Sequence, residues 1–258
     1  MRRAVPGDLA GLAALWREAF GDEEAEIRRF FDELFPFCQG FCADEGGTIA
    51  SMLFALPCEL AGGGEPEKAA YLYAVATDKR FRGRGLARRL MAFAEKELQK
   101  EGVSCVLLVP GEPSLVEFYR PLGYAGRTFL TEKTVPAPAA QGHAEPVSPE
   151  EYGRLREELL RGAPHVKVPL EQLRFEAETR PFYALRLGGR QGCAAASAED
   201  GTLVCDELLP DETMLPALLT ALPAGACRIR APGRSTPFAM FKRLQGRGEA
   251  PYLAFAFD

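Results

Sequence analysis

The sequence predicts a mixed α/β fold with a mixed sheet, built as a larger N-terminal domain and a smaller C-terminal one that partly repeats it. Three observations point there. Runs of helical and strand periodicity alternate up to residue 130 in the order α-α-β-β-β-α-β-α-β. A Pro- and Ala-rich stretch, 133–148, then holds few large apolar residues, as a linker would. Beyond it, laying Cys227 on Cys105 also brings Pro232 onto Pro110, Gly233 onto Gly111 and Leu244 onto Leu122. The expected division is 1–132, a linker at 133–148, and 149–258.

Each element has a local cause. Asp8 is placed to cap a first helix whose Leu9, Leu12, Ala13, Trp16 and Phe20 share one face, and Gly21 suits its end. Ile27, Phe30, Phe31 and Leu34 give a second helix, stopped by Pro36. "GFCADEGGTIASMLFALPCEL" reads as two strands joined at Glu45-Gly46-Gly47. "AAYLYAVAT" is apolar on both faces, the pattern of a central strand. From Leu86 to Lys100 the spacing of Leu86, Leu90, Phe93, Ala94, Glu97 and Leu98 is helical. "CVLLV" is a buried strand, "PSLVEFYR" a short helix and "YAGRTFL" a returning strand. Ser148-Pro149-Glu150-Glu151 is a capping box that opens a new folded unit. Within that unit, "FYALRLGGRQGCAAASAEDGTLVCDELLP" and "TMLPALLTAL" resemble the earlier hairpin, central strand and helix.

Composition narrows the function classes. A net charge of −5 argues against nucleic acid as the main partner. "MRRAVPGDLAGL" lacks the apolar core of an export signal, and no apolar run is long enough for a membrane span, so a cytoplasmic home is expected. Seven scattered cysteines without a CxxC pair fit a reducing compartment. "CQGFC" has neither His143 nor His165 near it, so no metal is expected.

Against that acidic background, Lys79, Arg80, Arg82, Arg84, Arg88 and Arg89 crowd one turn with Gly83 and Gly85. A strand, a Gly-rich turn and a helix N-terminus make an anion site, because free amides and the helix dipole point the same way. The field of the six cations suits several phosphates. A Walker A loop is absent, and "GRGLAR" lacks the third glycine of a dinucleotide fingerprint and lies beyond the strand.

What remains, Arg80-x-x-Gly83-x-Gly85 followed by Leu86-Ala87, resembles the acetyl-CoA-binding motif of the GNAT superfamily of N-acetyltransferases. A second family signature, "FYRPLGY" at 118–124, follows the next buried strand, and the resemblance covers residues 1–130. It implies the GNAT fold, with a GNAT-like C-terminal part, and acetyl-CoA as co-substrate. By position, Val75 and Thr77 would contact the pantetheine arm and acetyl group through backbone. Arg80, Arg82, Gly83, Arg84, Gly85, Leu86 and Ala87 would surround the pyrophosphate, and Tyr119 would stand near the departing sulfur. A tyrosine pKa near 10 exceeds a thiol's, so Tyr119 is expected to donate a hydrogen bond to developing charge rather than hand over its proton. Glu112 departs from the pattern: many members have Asn there, and a carboxylate cannot donate that hydrogen bond.

The resemblance implies transfer of acetyl to a primary amine by direct attack in a ternary complex. The alternative is an acyl-CoA-binding sensor or regulatory module without turnover. No base declares itself; Glu59 and Tyr73 stay open as candidates. Trp16, Phe20, Phe30 and Phe31 lie where members shape the acceptor pocket, but their helical spacing reads as core. A small cationic amine is preferred to a protein acceptor, with a homodimer as an allowed assembly. The second half places Phe241 at the position of Tyr119 and has no R-x-x-G-x-G, so it is expected not to catalyse but to close the acceptor pocket or form a dimer surface. Larger members that acetylate aminoglycosides place a chain terminus in the active site; for the carboxylate of Asp258 a surface position is the expectation.

Overall fold

A computed structural model describes residues 1–255 and divides into two compact units; the terminal carboxylate of Asp258 lies outside the described residues. The first unit comprises Met1–Glu59, Glu67–Ala125 and, returning from late in the chain, Phe241–Arg247. Its elements are β1 (Arg2–Arg3), α1 (Leu9–Phe20), α2 (Glu24–Arg29), β2 (Gln39–Glu45), β3 (Thr48–Ala61), β4 (Glu67–Thr77), α3 (Leu86–Lys100), β5 (Cys105–Leu108) and α4 (Pro113–Tyr119). The strands lie in the order β1-β2-β3-β4-β5. β2 and β3 pair antiparallel through Gly46 and Gly47, both at positive φ (66° and 86°), the conformation a two-residue hairpin turn requires. β4 is central, as its two apolar faces demand.

Phe41 of β2 stands opposite Leu53 of β3, so Phe54 points to the other face. Phe41 meets Phe93 of α3, while Phe54 meets Trp16 of α1 at 5.5 Å between ring centroids. The helices therefore cover both faces. Trp16, Phe30 and Phe54 are buried and mutually packed, each contributing about 2–3 kcal/mol by leaving water. The second helix runs α-helically only to Arg29 and continues as a π-helical turn, Phe30–Leu34, that keeps Phe30 and Leu34 inside. Two capping and burial expectations need correction. Asp8 does not cap α1: its carboxylate turns back to Val5 N (2.8 Å) and to the Arg2 guanidinium (2.6 Å), where a charged partner outcompetes free helix amides. On α3 the inward carboxylate is Glu95, not Glu97.

The second unit comprises Leu60–Pro66, Gly126–Met240 and the segment from Gly248 on. Its elements are β6 (Gly126–Pro136), β7 (His143–Val147), α5 (Pro149–Leu159), β8 (His165–Lys167), α6 (Leu170–Glu176), β9 (Phe182–Leu187), β10 (Arg190–Glu199), β11 (Thr202–Leu209), α7 (Leu215–Leu218), β12 (Ala226–Pro232) and β13 (Thr236–Arg243), the last shared with the first unit. The Ser148 cap on α5 is present, its hydroxyl accepting from Glu151 N. β11 and β12 are parallel, as β4 and β5 are. α5, α6, β9, β10, β11, α7 and β12 thus repeat the order of α1 to β5, with β8 added.

Two expectations about this part fail locally. The stretch 133–148 is not an unpaired connector: Lys133–Pro136 pair with Ala226–Ile229, and His143–Val147 pair with Phe182–Arg186. Its prolines mislead because Pro136 ends a strand and Pro146 sits on an edge strand, where a missing N–H is tolerated. The alignment of Phe241 with Tyr119 also fails, since Tyr119 ends helix α4 whereas Phe241 lies in strand β13. At Gly233 an added Cβ would come within 1.9 Å of Thr131 Oγ1, so the chain there runs hard against β6, bends at Arg234 and Ser235 and enters strand β13 where the first unit has a helix.

Candidate functional site

The site begins where β4 and β5 part. The two strands pair only over Ala69–Tyr71 and Cys105–Leu107. Past that point Ala74 adopts φ 48°, a conformation costing a side-chain-bearing residue roughly 1–2 kcal/mol. It bends β4 away, so Val75, Ala76 and Thr77 have no β5 residue beside them and instead line a cleft of about 530 Å³. The strand end is fixed from the other side. Ser51 of β3 donates to Ala76 O (2.7 Å) and its hydroxyl lies 2.9 Å from that of Thr77, while Asp78 N donates to Ala50 O (3.0 Å).

The turn after β4 supplies the cleft's polar wall. Gly83 (φ 76°) and Gly85 (φ 70°) are both left-handed, so glycine is required here by backbone conformation; both have room for a Cβ. α3 starts at once, and its first intrahelical bond is Arg89 N to Gly85 O (3.1 Å). The amides of Leu86, Ala87 and Arg88 come before that bond and have no carbonyl of the helix to reach. With the positive end of a fifteen-residue helix behind them, they form a cradle for anionic oxygens. Arg82 lines the cleft and its Nε donates to Thr77 O (3.0 Å).

The structure brings together Val75, Thr77, Arg82, Gly83, Gly85, Leu86, Ala87 and Tyr119, all on the cleft wall. Arg80 and Arg84 point elsewhere. Arg80 grips the buried Asp78 (Nη2–Oδ2 2.5 Å), and that guanidinium holds the Asp78 carboxyl below the usual carboxylate range. Arg84 lies over the Phe81 ring at 5.3 Å. Glu112 accepts from Ser114 Oγ (3.1 Å) and is not on the cleft; neither Glu59 nor Tyr73 lines it. Tyr73 belongs to the aromatic core, its ring 5.4 Å from Trp16.

Sequence reasoning assigned no role to five wall residues, Ala19, Ala76, Phe81, Leu115 and Phe118, and gave Arg88 and Phe20 only a general place. Helical spacing carries part of the signal: Leu115 precedes Phe118 and Tyr119 by three and four positions, so the three share one face of α4. Tyr119 is 6% exposed, with its ring against Phe118 and Tyr124. Among the described residues nothing hydrogen-bonds its hydroxyl, and burial pushes its pKa up to about 12. Tyr124, at the end of the same segment, instead donates to Glu95 (2.8 Å), which Lys242 neutralises at 2.6 Å while also donating to Leu122 O. The segment 118–124 thus holds one tyrosine toward the cleft and one as an anchor.

No cysteine lines the cleft, and burial raises the Cys105 thiol to about 12, so thiolate chemistry has no source there. Among the described residues no helix is long and apolar enough to cross a membrane, and no cluster of His, Cys, Asp or Glu could hold a metal ion.

Residues 1–126 match the family model for the acetyltransferase (GNAT) domain. No curated protein matches the chain in sequence. Among solved structures, a probable N-acyltransferase from Enterococcus faecalis V583 is similar at TM-score 0.77 and 18% identity, over 94% of this chain and 72% of that one. GCN5-related N-acetyltransferases from Anabaena variabilis (TM-score 0.71, 13% identity, 95% and 72%) and Kribbella flavida (TM-score 0.66, 15% identity, 93% and 70%) are similar too. At these identities the neighbours speak for the fold, which extends over nearly the whole chain. The matched domain and the cleft built from β4, the Gly turn and α3 coincide, so residues 1–126 are an acetyltransferase domain of the GNAT family, and the chain around them shares the neighbours' fold.

Proposed function

We propose that the protein transfers an acetyl group from acetyl-CoA to a primary amine by direct attack within a ternary complex. The observation that carries this reading is the convergence, on one cleft, of the amide cradle at Leu86–Arg88 after the Gly83–Gly85 turn and the unpartnered hydroxyl of Tyr119. Free amides and Arg82 suit a pyrophosphate; the apolar wall of Phe20, Val75, Leu115 and Phe118 suits a neutral arm beside it. The backbone of Val75–Thr77, released from β5, can pair with that arm and polarise a carbonyl. With its pKa near 12 against about 8.5 for a thiol, proton transfer from Tyr119 to the departing sulfur would be uphill by about 5 kcal/mol. Tyr119 therefore stays protonated and donates a hydrogen bond to the developing thiolate.

A covalent acetyl-enzyme has no nucleophile on the cleft wall, since its one hydroxyl besides that of Tyr119, on Thr77, is bound to Ser51. The amine must lose its proton elsewhere, and water is the acceptor this wall allows. In this reading the protein works in the cytoplasm on a small cationic amine, and the region 149–258 is a degenerate, non-catalytic copy.

Calorimetric titration of acetyl-CoA, followed by thioester consumption with a panel of amines, tests the reading. Wild type should bind, and Arg82→Ala should weaken binding about tenfold or more. Tyr119→Phe should bind within about twofold of wild type yet turn over about 10- to 100-fold more slowly. Absence of binding, or thioester loss that ignores the amine, would overturn it.

A further inference from the structure

Six cations surround the turn after β4, and the structure ties up most of them. Lys79 lies 3.6 Å from Glu18, Arg80 holds Asp78, Arg82 donates to Thr77 O, and Arg84 stacks on Phe81. Arg89 is exposed and does not line the cleft. Arg88 does line it, and among the described residues its guanidinium has no hydrogen-bond, ion-pair or ring partner. It also carries the last free amide of the first turn of α3, the cradle position farthest in sequence from β4.

Coenzyme A carries three phosphoryl groups of two kinds. The pyrophosphate is an internal diester that backbone amides and Arg82 can satisfy. The 3′-phosphate is a monoester with a charge of about −1.5 to −2 at neutral pH, and it needs a charge-assisted partner of its own. Because only Arg82 and Arg88 of the six line the cleft, and Arg82 is already bound to Thr77 O, we infer that Arg88 holds the 3′-phosphate and is the residue by which this enzyme distinguishes coenzyme A from its 3′-dephospho form. The inference rests on the acetyl-CoA reading of the cleft. A planar guanidinium free of internal partners can meet the phosphate with two parallel hydrogen bonds, which a lysine in its place could not match.

Binding rather than turnover tests the assignment. CoA and 3′-dephospho-CoA are titrated by calorimetry into wild type, Arg88→Ala, Arg88→Lys, Arg89→Ala and Arg82→Ala. Wild type should prefer CoA by about tenfold or more. Arg88→Ala should bring the two affinities within about twofold of each other by weakening CoA alone, and Arg88→Lys should retain part of the preference. Arg89→Ala should keep the wild-type ratio, and Arg82→Ala should weaken both ligands in parallel. Arg88 is exposed, so melting curves of its variants should match wild type. An unchanged ratio in Arg88→Ala, or equal weakening of both ligands, overturns the assignment. So does a wild type that binds the two equally, which leaves the acetyl-CoA reading standing. A wild type that binds neither ligand overturns both.

Discussion

The Tyr119 ring is wedged between Phe118 and Tyr124, and that burial sets the behaviour of its hydroxyl. A phenol buried without a charge partner resists ionisation, which is why its pKa rises from 10 to about 12. The linkage follows in sign. Between those two values the folded chain keeps a proton that the unfolded chain has lost, so stability is intact below pH 10 and falls as pH rises through 10 to 12. At full expression the loss is about 3 kcal/mol. Tyr119→Phe lacks this one group, so the stability difference between wild type and variant should be flat up to about pH 9 and shift by that amount toward pH 12. Urea unfolding at stepped pH reads it directly. A flat difference across the whole range would mean that the hydroxyl is not buried as described. The same property predicts that activity shows no downturn from Tyr119 ionisation between pH 7 and about pH 10, leaving the amine's own titration to shape the profile.

Among the elements of the second unit, α5 carries a charged side chain on its buried face, in line with Tyr152 and Leu155. Arg156 is 1% exposed, with Nε 2.7 Å from Glu207 of β11 and Nη1 2.9 Å from Val166 O; Tyr152 also donates to Glu207, which is fully buried. Removing one partner strands the other's charge, so Arg156→Met should destabilise by about 3–5 kcal/mol. Adding Glu207→Leu should recover most of that loss, because no charge then remains to be solvated. A double mutant as unstable as the single one would show that the packing of the arginine stem, not its charge, was at stake. This pair explains what the sequence conceals. α1, α3, the β2–β3 hairpin and the glycine cradle rest on signals a few residues long, and these were legible. Glu95, Arg156 and Glu207 are tolerated inside only because partners far along the chain meet them; helical spacing puts Glu95 and Arg156 on buried faces, but no local signal supplies the partner that burying a charge needs. Composition misread 133–148 for a related reason, since half-exposed strands ending in proline look like loops. At the site, the motif located the cradle, but only the fold shows that Arg80 turns to Asp78 and Arg84 to Phe81 while Arg88 lines the cleft.

For the molecule as a whole, the unit that bears the site is not contiguous in sequence. The family match stops at residue 126, yet the compact first unit also includes Phe241–Arg247. That segment supplies the strand beside β5, whose four residues Cys105–Leu108 are all buried. It ties in through Leu244 N to Ser104 O (2.8 Å) and Gln99 Nε2 to Leu244 O (3.0 Å). It also brings Lys242, which neutralises Glu95 and so supports the Tyr124 anchor of the segment that holds Tyr119. A fragment ending at residue 126 would leave β5 as an open apolar edge and Glu95 as a nearly buried charge without its cation. Such a fragment should therefore aggregate or melt without cooperativity. A variant in which residues 236–247 are joined to it through a flexible linker should recover a cooperative melt and acetyl-CoA binding. Thermal unfolding followed by circular dichroism decides between them. Cooperative melting of residues 1–126 alone, within about 5 °C of the full chain, would show that the returning strand is dispensable. Failure of the linked form as well would show that the first unit needs more of the second than this one segment.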